Sequence, residues 1–398
     1  MPTTIATRAR EAFADLAPER EELGALDEDL LRLQVTVAGI PAPTGAERLR
    51  AQWVARQLAD AGLETRTDAA GNVIARIGGA IAQAPVVVCA HLDNVFPEGT
   101  ELAFQQEGAR ITGPGICDNS RGLAVMLQIA RSLRARERSL ARPIEFVATT
   151  CEEGLGDLRG ARQYLADCPR PFAVVAIDGA GDERIVNTGL GSRRFRAVFR
   201  GPGGHSWAAH GIPNPVHAAA RAAAAIGDLR PAGAARVALS VNRIGGGLSI
   251  NAIPEDAWFE VDVRTTDGRV LDPLEHQLRG ILVGVTRSEN ENRAASGAAL
   301  RVQFDRIGNR PGGETANDAP LVQAAIEATR LIGKSPELVT ASTDANAAMS
   351  LGVPAIAIGG GGRGGDTHSR REWFDNTSAT AGVERALTIV ATMARMEG

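Results

Sequence analysis

Four short runs of almost unbroken apolar residues constrain the fold of this chain more than any other feature. They are Pro85–Ala90 (PVVVCA), Ile144–Ala148 (IEFVA), Phe172–Ile177 (FAVVAI) and Val353–Ile358 (VPAIAI). Such runs are too short for helices and too apolar for a sheet with one wet face. They read as strands covered on both sides, as in a parallel sheet clad in helices. Helical patterns at about 120–134, 157–166 and 319–332 fall between them, which is the alternation of an open α/β sheet. Thr44-Gly-Ala-Glu47 has the spelling of a capping box ahead of Leu49, Trp53, Val54 and Leu58 at helical spacing. Asp68–Asn72 reads as a turn into a short strand, Val73–Ile77, and a further strand is expected near Glu337–Val339.

Between about 190 and 308 the pattern changes. Arg193–Arg200 alternates, so one face of that strand meets water. An Ala-rich helix (215–229), strands near 236–244 and 257–265, a helix at about 270–287 and a strand Leu300–Ile307 follow. The order β-α-β-β-α-β is the ferredoxin-like split unit. With 398 residues, two domains are expected. The first is an α/β domain with a mixed, mostly parallel sheet flanked by helices, at 1–189 and 309–398. The second is an α+β domain inserted at 190–308.

A net charge of −4 and a pI near 6.0 argue against capture of nucleic acid or acidic membrane. No apolar run approaches the roughly 20 residues a bilayer needs, and Met1–Pro18 lacks the apolar core of a signal peptide. The expected location is the cytoplasm. Cysteines 89, 117, 151 and 168 form no C-x-x-C pair and are expected as reduced thiols, those at 89, 117 and 151 buried.

The chemistry follows the strands. His91 and Asp93 come after the first run, Glu152 and Glu153 after the second, and Asp178 after the third. Asp118 lies in a Gly-Pro-Gly-Ile-Cys-Asp-Asn loop, and a glycine-rich stretch leads from the last run to His368. In an open sheet the carboxyl ends of the strands form the ligand crevice, so two of only six histidines and several carboxylates converge there. Mixed imidazole and carboxylate donors suit zinc, with manganese or cobalt as alternatives. Two such ions sharing a carboxylate would make a co-catalytic pair. Glu152 would remain as general base, and Asp93 could orient the His91 ring through its second nitrogen. The six glycines of 359–365 would let the backbone bend beside the metals, with Arg363 among them as a candidate substrate contact. Gly333-Lys-Ser335 is no P-loop, because Ala328 stands where the first glycine is needed.

These motifs together resemble the M20 family of metallopeptidases and amidohydrolases, the group containing peptidase T, acetylornithine deacetylase, succinyl-diaminopimelate desuccinylase and glutamate carboxypeptidase. The resemblance runs from about Ile40 onward. It rests on Ala90–Pro97, Gly113–Asn119, Cys151–Gly154, Ile177-Asp178, Gly204-His-Ser206, Asn251–Pro254, Ser342–Ala345 and His368 in that order. It implies that His91 and Asp178 hold one metal, Glu153 and His368 the other, and that Asp118 bridges them across a cis Asp118–Asn119 peptide. It implies that Asp93 supports the first metal's histidine and that Glu152 is the base. The inserted domain becomes a lid and dimerisation domain whose His205 donates to the oxyanion, often across the dimer. Asn251 and Arg264 would contact a substrate carboxylate or carbonyl. The chain departs from the commonest spelling at Asn94, Asn119-Ser-Arg121 and Ser342, and none of these removes a ligand.

The expected activity is metal-dependent cleavage of an amide bond in a small substrate. A peptidase T-like aminopeptidase on di- or tripeptides is placed first. An N-acyl-amino-acid deacylase or carboxypeptidase is the alternative, and a non-catalytic binding protein a remote one. A homodimer through the inserted domain is expected from the resemblance.

Overall fold

The computed structural model describes residues 4–79, 83–136, 140–168, 170–231, 236–292 and 298–396. Two compact units emerge, one made of Met1–Gly189 with Gly313–Gly398 and the other of Leu190–Gly312.

At the centre of the first unit four strands run parallel in the order Ile144–Thr149, Val86–His91, Ala173–Ile177 and Ala355–Ile358. Val73–Ile77 and then Thr65–Thr67 extend one side antiparallel. Arg184–Gly189, flanked by Gly313–Glu314 and Glu337–Ala341, extends the other. All six residues of Val86–His91 are buried, because successive side chains leave opposite faces of the sheet and both faces are covered. Val86, Val88 and Ala90 join the core beneath helices Ser120–Arg134, Pro320–Leu331 and Thr380–Ala394. Val87 and Cys89 pack on the other side with Tyr164, Leu165 and Ala345–Met349. The polar residue inside the second apolar run is also accommodated: Glu145 takes Arg76 Nη1 at 2.8 Å and the Tyr164 hydroxyl at 2.7 Å, as a buried carboxylate must.

The parallel alignment sends the carboxyl ends of the four strands to one edge. His91 ends its strand, Glu152 and Glu153 follow theirs after Thr150 and Cys151, and Asp178 and Gly359 follow theirs directly. Three short helices at the amino end, Ile5–Asp15, Ala17–Ala25 and Asp27–Ala38, were not legible as such. A four-stranded sheet of three-residue strands (Gln105–Glu107, Arg110–Thr112, Arg363–Gly365, Trp373–Asp375) was not foreseen either.

The capping-box expectation fails. Helix Arg48–Asp60 begins after Glu47, which makes no side-chain cap, and both motif side chains bond elsewhere.

In the second unit an antiparallel sheet has the order Val237–Gly246, Asp256–Thr265, Gly191–Arg200, Arg301–Arg310. Helices Pro215–Gly227 and Leu271–Glu291 cover the face that carries Phe195, Phe199, Phe259 and Val261. The last strand runs to Arg310, past the expected end at Ile307, since its partner Gly191–Arg200 continues to pair with it there. Val237–Gly246 is an edge strand, and Ile244, Leu248, Ile250 and Trp207 are exposed.

Candidate metal centre

At the strand-end edge of the first unit, the Asp118 carboxylate is set between two imidazoles. Its Oδ1 lies 3.0 Å from His91 Nε2 and its Oδ2 3.1 Å from His368 Nε2. His91 Nε2 is also 3.8 Å from Asp178 Oδ1, and His368 Nε2 is 2.9 Å from Glu153 Oε1. The donors therefore form two groups joined by one carboxylate: His91, Asp178 and Asp118 on one side, Glu153, His368 and Asp118 on the other. Around an ion with ligand bonds near 2.1 Å, adjacent tetrahedral donors stand about 3.4 Å apart, and the observed separations bracket that value. Ligand atoms of His91, Asp118 and Glu153 lie within 4.8 Å of one another.

A second observation tests the fit. His91 Nδ1 is 3.0 Å from the Asp93 carbonyl oxygen, so it donates there and its Nε2 lone pair faces Asp118 Oδ1. That oxygen is buried and has no other hydrogen-bond donor among the described residues. Two lone pairs at 3.0 Å need a cation between them, a proton or a metal. The electrostatics agree. Burial disfavours a charged His91, yet the surrounding carboxylates of Asp118, Asp178 and Asp93 outweigh burial and raise it well above the usual value. Asp118 and Glu153 raise His368 to about 10. Asp118 is itself held far below the usual carboxylate range; burial pushes it up, but His368 and His91 overcome that. Each imidazole thus faces carboxylates that favour a positive charge at its Nε2, whether a proton or a divalent ion.

Local backbone geometry serves this arrangement. The Asp118–Asn119 peptide is cis. Asn119 starts helix Ser120–Arg134 by accepting from the Gly122 N–H at 3.0 Å, and its amide donates to Ile177 O at 2.8 Å. His368 has φ 66° and Asp366 φ 54°, left-handed values that turn the ligand loop inward. The preceding glycines are required: at Gly361, with φ +88°, a Cβ would lie 2.1 Å from Ala379 O.

The role expected of Asp93 is corrected in one respect. Its main-chain carbonyl, not its carboxylate, takes the second nitrogen of His91; Oδ1 is 3.6 Å from that nitrogen. The carboxylate instead accepts the Glu152 and Glu153 N–H groups, each at 2.9 Å, and the Thr44 hydroxyl at 2.9 Å. It fixes the turn that carries both glutamates. Glu152 is buried at this turn.

Several residues to which the sequence assigned no role converge here. Glu372 Oε1 accepts the Cys117 and Asp118 N–H groups, both at 2.7 Å, and burial raises this carboxyl to about 7. Asp344 accepts the Thr149 hydroxyl at 2.5 Å, and Thr149 is the strand partner of His91. Burial raises Asp344 to about 6. Three fully buried arginines bind main-chain carbonyls around the site: Arg50 those of Ile40 and Leu92, Arg121 those of Gly360 and Ala379, Arg385 those of Gly181, Asp182 and Gly359. The Arg121 of the unusual Asn119-Ser-Arg121 spelling thus secures the glycine-rich loop. Cys89, Cys117 and Cys151 are buried free thiols.

A cavity of about 730 Å³ opens beside Asp118 and Asp178, a size that suits a small-molecule substrate. Arg363, Trp373, Glu183, Arg184 and Lys334 line it, and Lys334 is paired with Asp182 at 3.2 Å.

The remaining candidate residues lie in the second unit. His205 is exposed, and its Nδ1 accepts the N–H groups of Trp207 and Ala208 at 3.2 and 3.4 Å. That leaves the proton on Nε2, as a donor. Asn251 is exposed and accepts from the Ser249 hydroxyl. The Arg264 Nε is held by Asp262 at 2.7 Å. No helix among the described residues is long and apolar enough to cross a membrane.

Several known proteins are similar to this chain. A putative succinyl-diaminopimelate desuccinylase of Mycobacterium tuberculosis is 24% identical over 348 residues, 84% of this chain and 90% of that protein. A probable carboxypeptidase of Aspergillus terreus is 26% identical over 210 residues, and there the match spans about half of the relative (48%). Among solved structures, the aminopeptidase PepT of Bacillus cereus superimposes with a TM-score of 0.71 at 20% identity, covering 92% of this chain and 99% of that one. The YXEP protein of Bacillus subtilis, described as a dinuclear metal-binding peptidase from the M20 family, gives 0.66 at 20% identity over 92% and 98%. The profile of peptidase family M20/M25/M40 matches residues 87–394, and the chain belongs to that family.

Proposed function

We propose that this hydrolase uses a pair of divalent ions, zinc before manganese or cobalt, to cleave an amide bond of a small peptide as an aminopeptidase. The observation that carries the reading is the Asp118 carboxylate held between His91 and His368. His91 and Asp178 would hold one ion, Glu153 and His368 the other, and Asp118 both. Bound there, the ions supply Lewis acidity and make water acidic enough to attack at neutral pH. The protein's residues do the rest. Glu152 accepts the proton of the attacking water and returns it to the leaving amine. His205 donates from Nε2 to the oxyanion. Asp93 holds the glutamate turn with its carboxylate and the His91 ring with its carbonyl.

Glu183 and Asp375 in the cavity wall suit a substrate's free amino group, and Arg363 suits its carboxylate. The alternative, deacylation or carboxypeptidase action, is favoured by the curated relatives, a desuccinylase, a carboxypeptidase and an N-acetylcysteine deacetylase of Bacillus subtilis among them. It would use Asn251 and Arg264 for the carboxylate, in competition with Asp262. A mass-spectrometric panel of free-amine tripeptides and N-acyl amino acids, with each metal supplied, separates the two. Cleavage of peptides alone is expected. Cleavage of acyl amino acids alone would replace the aminopeptidase reading by the deacylase one, and no cleavage of either would revive the binding-protein alternative.

A homodimer through the second unit belongs to the same proposal. The edge strand Val237–Gly246 and the exposed Ile244, Leu248 and Ile250 support it, because an open edge beside apolar side chains is a template for a second copy. Light scattering should give twice 41.6 kDa. Leu248→Asp with Ile250→Asp should give the monomer, and a wild-type monomer would refute the dimer.

A further inference from the structure

The Thr44–Glu47 motif is unused as a helix cap, and its two side chains bond to the strand-end loops of the same unit, at Asp93 and Cys151. Glu47 is buried, at 5% exposure. Its Oε1 accepts the Gly45 N–H at 2.7 Å, the Cys151 N–H at 3.1 Å and the Cys151 thiol at 3.2 Å. Thr44 donates to Asp93 Oδ2, and the Asp93 carboxylate accepts the next two N–H groups of the turn, those of Glu152 and Glu153. Three successive amides, 151 to 153, are therefore fixed by two carboxylates.

Cys151 needs such restraint, because it has φ 54°, a left-handed conformation that a residue with a β-carbon rarely adopts. Its thiol takes Arg159 Nη2 at 2.6 Å and its carbonyl the Arg159 N–H at 3.3 Å. The conformation of residue 151 sets the direction in which residue 152 leaves the strand end.

We propose that Glu47 is a positioning residue for Glu152, acting through the Cys151 main chain without touching substrate. This rests on the reading of Glu152 as general base. Removing Glu47 should let the turn relax and take the base off line, while the metal ligands stay in place.

The test compares the metal-loaded wild type with Glu47→Ala, Glu47→Gln, Glu152→Ala and the double variant Glu47→Ala/Glu152→Ala, on whichever substrate the panel identifies. Glu47→Ala should lower kcat about 10–100-fold, the usual range for a residue that orients a reacting group. KM and the two-metal content should be unchanged. In the metal-free protein, amide exchange at 151–153 should accelerate. Glu47→Gln keeps an acceptor oxygen and should restore most of kcat. In the Glu152→Ala background, Glu47→Ala should add nothing, since it acts only through the base.

An unchanged kcat in Glu47→Ala beside an inactive Glu152→Ala overturns the proposal alone. So does a loss explained by missing metal or raised KM, or a further loss in the double variant. An active Glu152→Ala instead overturns the base assignment, and this proposal with it. Should Glu47→Ala fail to fold, Glu47→Asp, which withdraws the acceptor by about one bond length (~1.5 Å), must lose kcat where Glu47→Gln does not. Equal rates in those two overturn the proposal.

Discussion

Replacing Glu152 by alanine is expected to lower kcat by between about 10²- and 10⁴-fold, the range for loss of a general acid–base, with both metal equivalents retained. The argument is local. The glutamate of this turn whose carboxylate joins the donors around Asp118 is Glu153, 2.9 Å from His368 Nε2. The N–H groups of the turn are held by Asp93 and Glu47. Truncation should therefore remove proton transfer and leave the donor set. Turnover rates with elemental analysis of the same sample decide it. Near-normal turnover would eliminate Glu152 as the base, and loss of metal would show that it also supports the ligands.

Asp118→Ala should have the largest effect on metal content, emptying both positions where His91→Ala or His368→Ala should each disturb chiefly one. Among the described residues Asp118 alone faces both histidines, one oxygen to each. Without it the histidines lose their common counter-charge, and each proposed ion would be left with two of its three proposed protein donors. Activity should fall to background. The metal-dependent gain in stability should vanish as well, a gain of about 2.7 kcal/mol when free metal is a hundredfold above Kd. Elemental analysis and thermal melts with and without added zinc measure both. Two equivalents of metal in the purified Asp118→Ala protein would refute the bridging role.

Much of this was legible because chemistry followed periodicity. Each central strand is buried on both faces, so each announced itself as an apolar run, and the candidate ligands stood just beyond those runs. His368 was harder to place from spacing: it lies in the connection between two strands of three residues each, Arg363–Gly365 and Trp373–Asp375, too short to show a hydrophobic alternation. The supporting residues were invisible for a different reason. Thr44 and Glu47 spell a local cap, but their partners lie 49 and 104 positions away. Glu372 reaches back 254 positions to the Asp118 amide. A hydrogen bond between a carboxylate and a distant main chain leaves no periodic trace. The first two amino-terminal helices bury few side chains, Ala9 and Ala12 in one and Leu23 in the other, too sparse a stripe to be read.

The three buried arginines have a consequence for how metal is acquired. Burial lowers each of them to about 10, so they remain charged at neutral pH. A desolvated guanidinium must satisfy its donors, and here it does so on the carbonyls of the loops that surround the ligands. Those loops, rich in glycine, would otherwise be among the most mobile parts of the chain. Their conformational entropy is surrendered when the protein folds, before any ion arrives. Incoming ions would meet a mould that is already set, and their binding free energy would go into affinity and selectivity instead of into ordering the backbone.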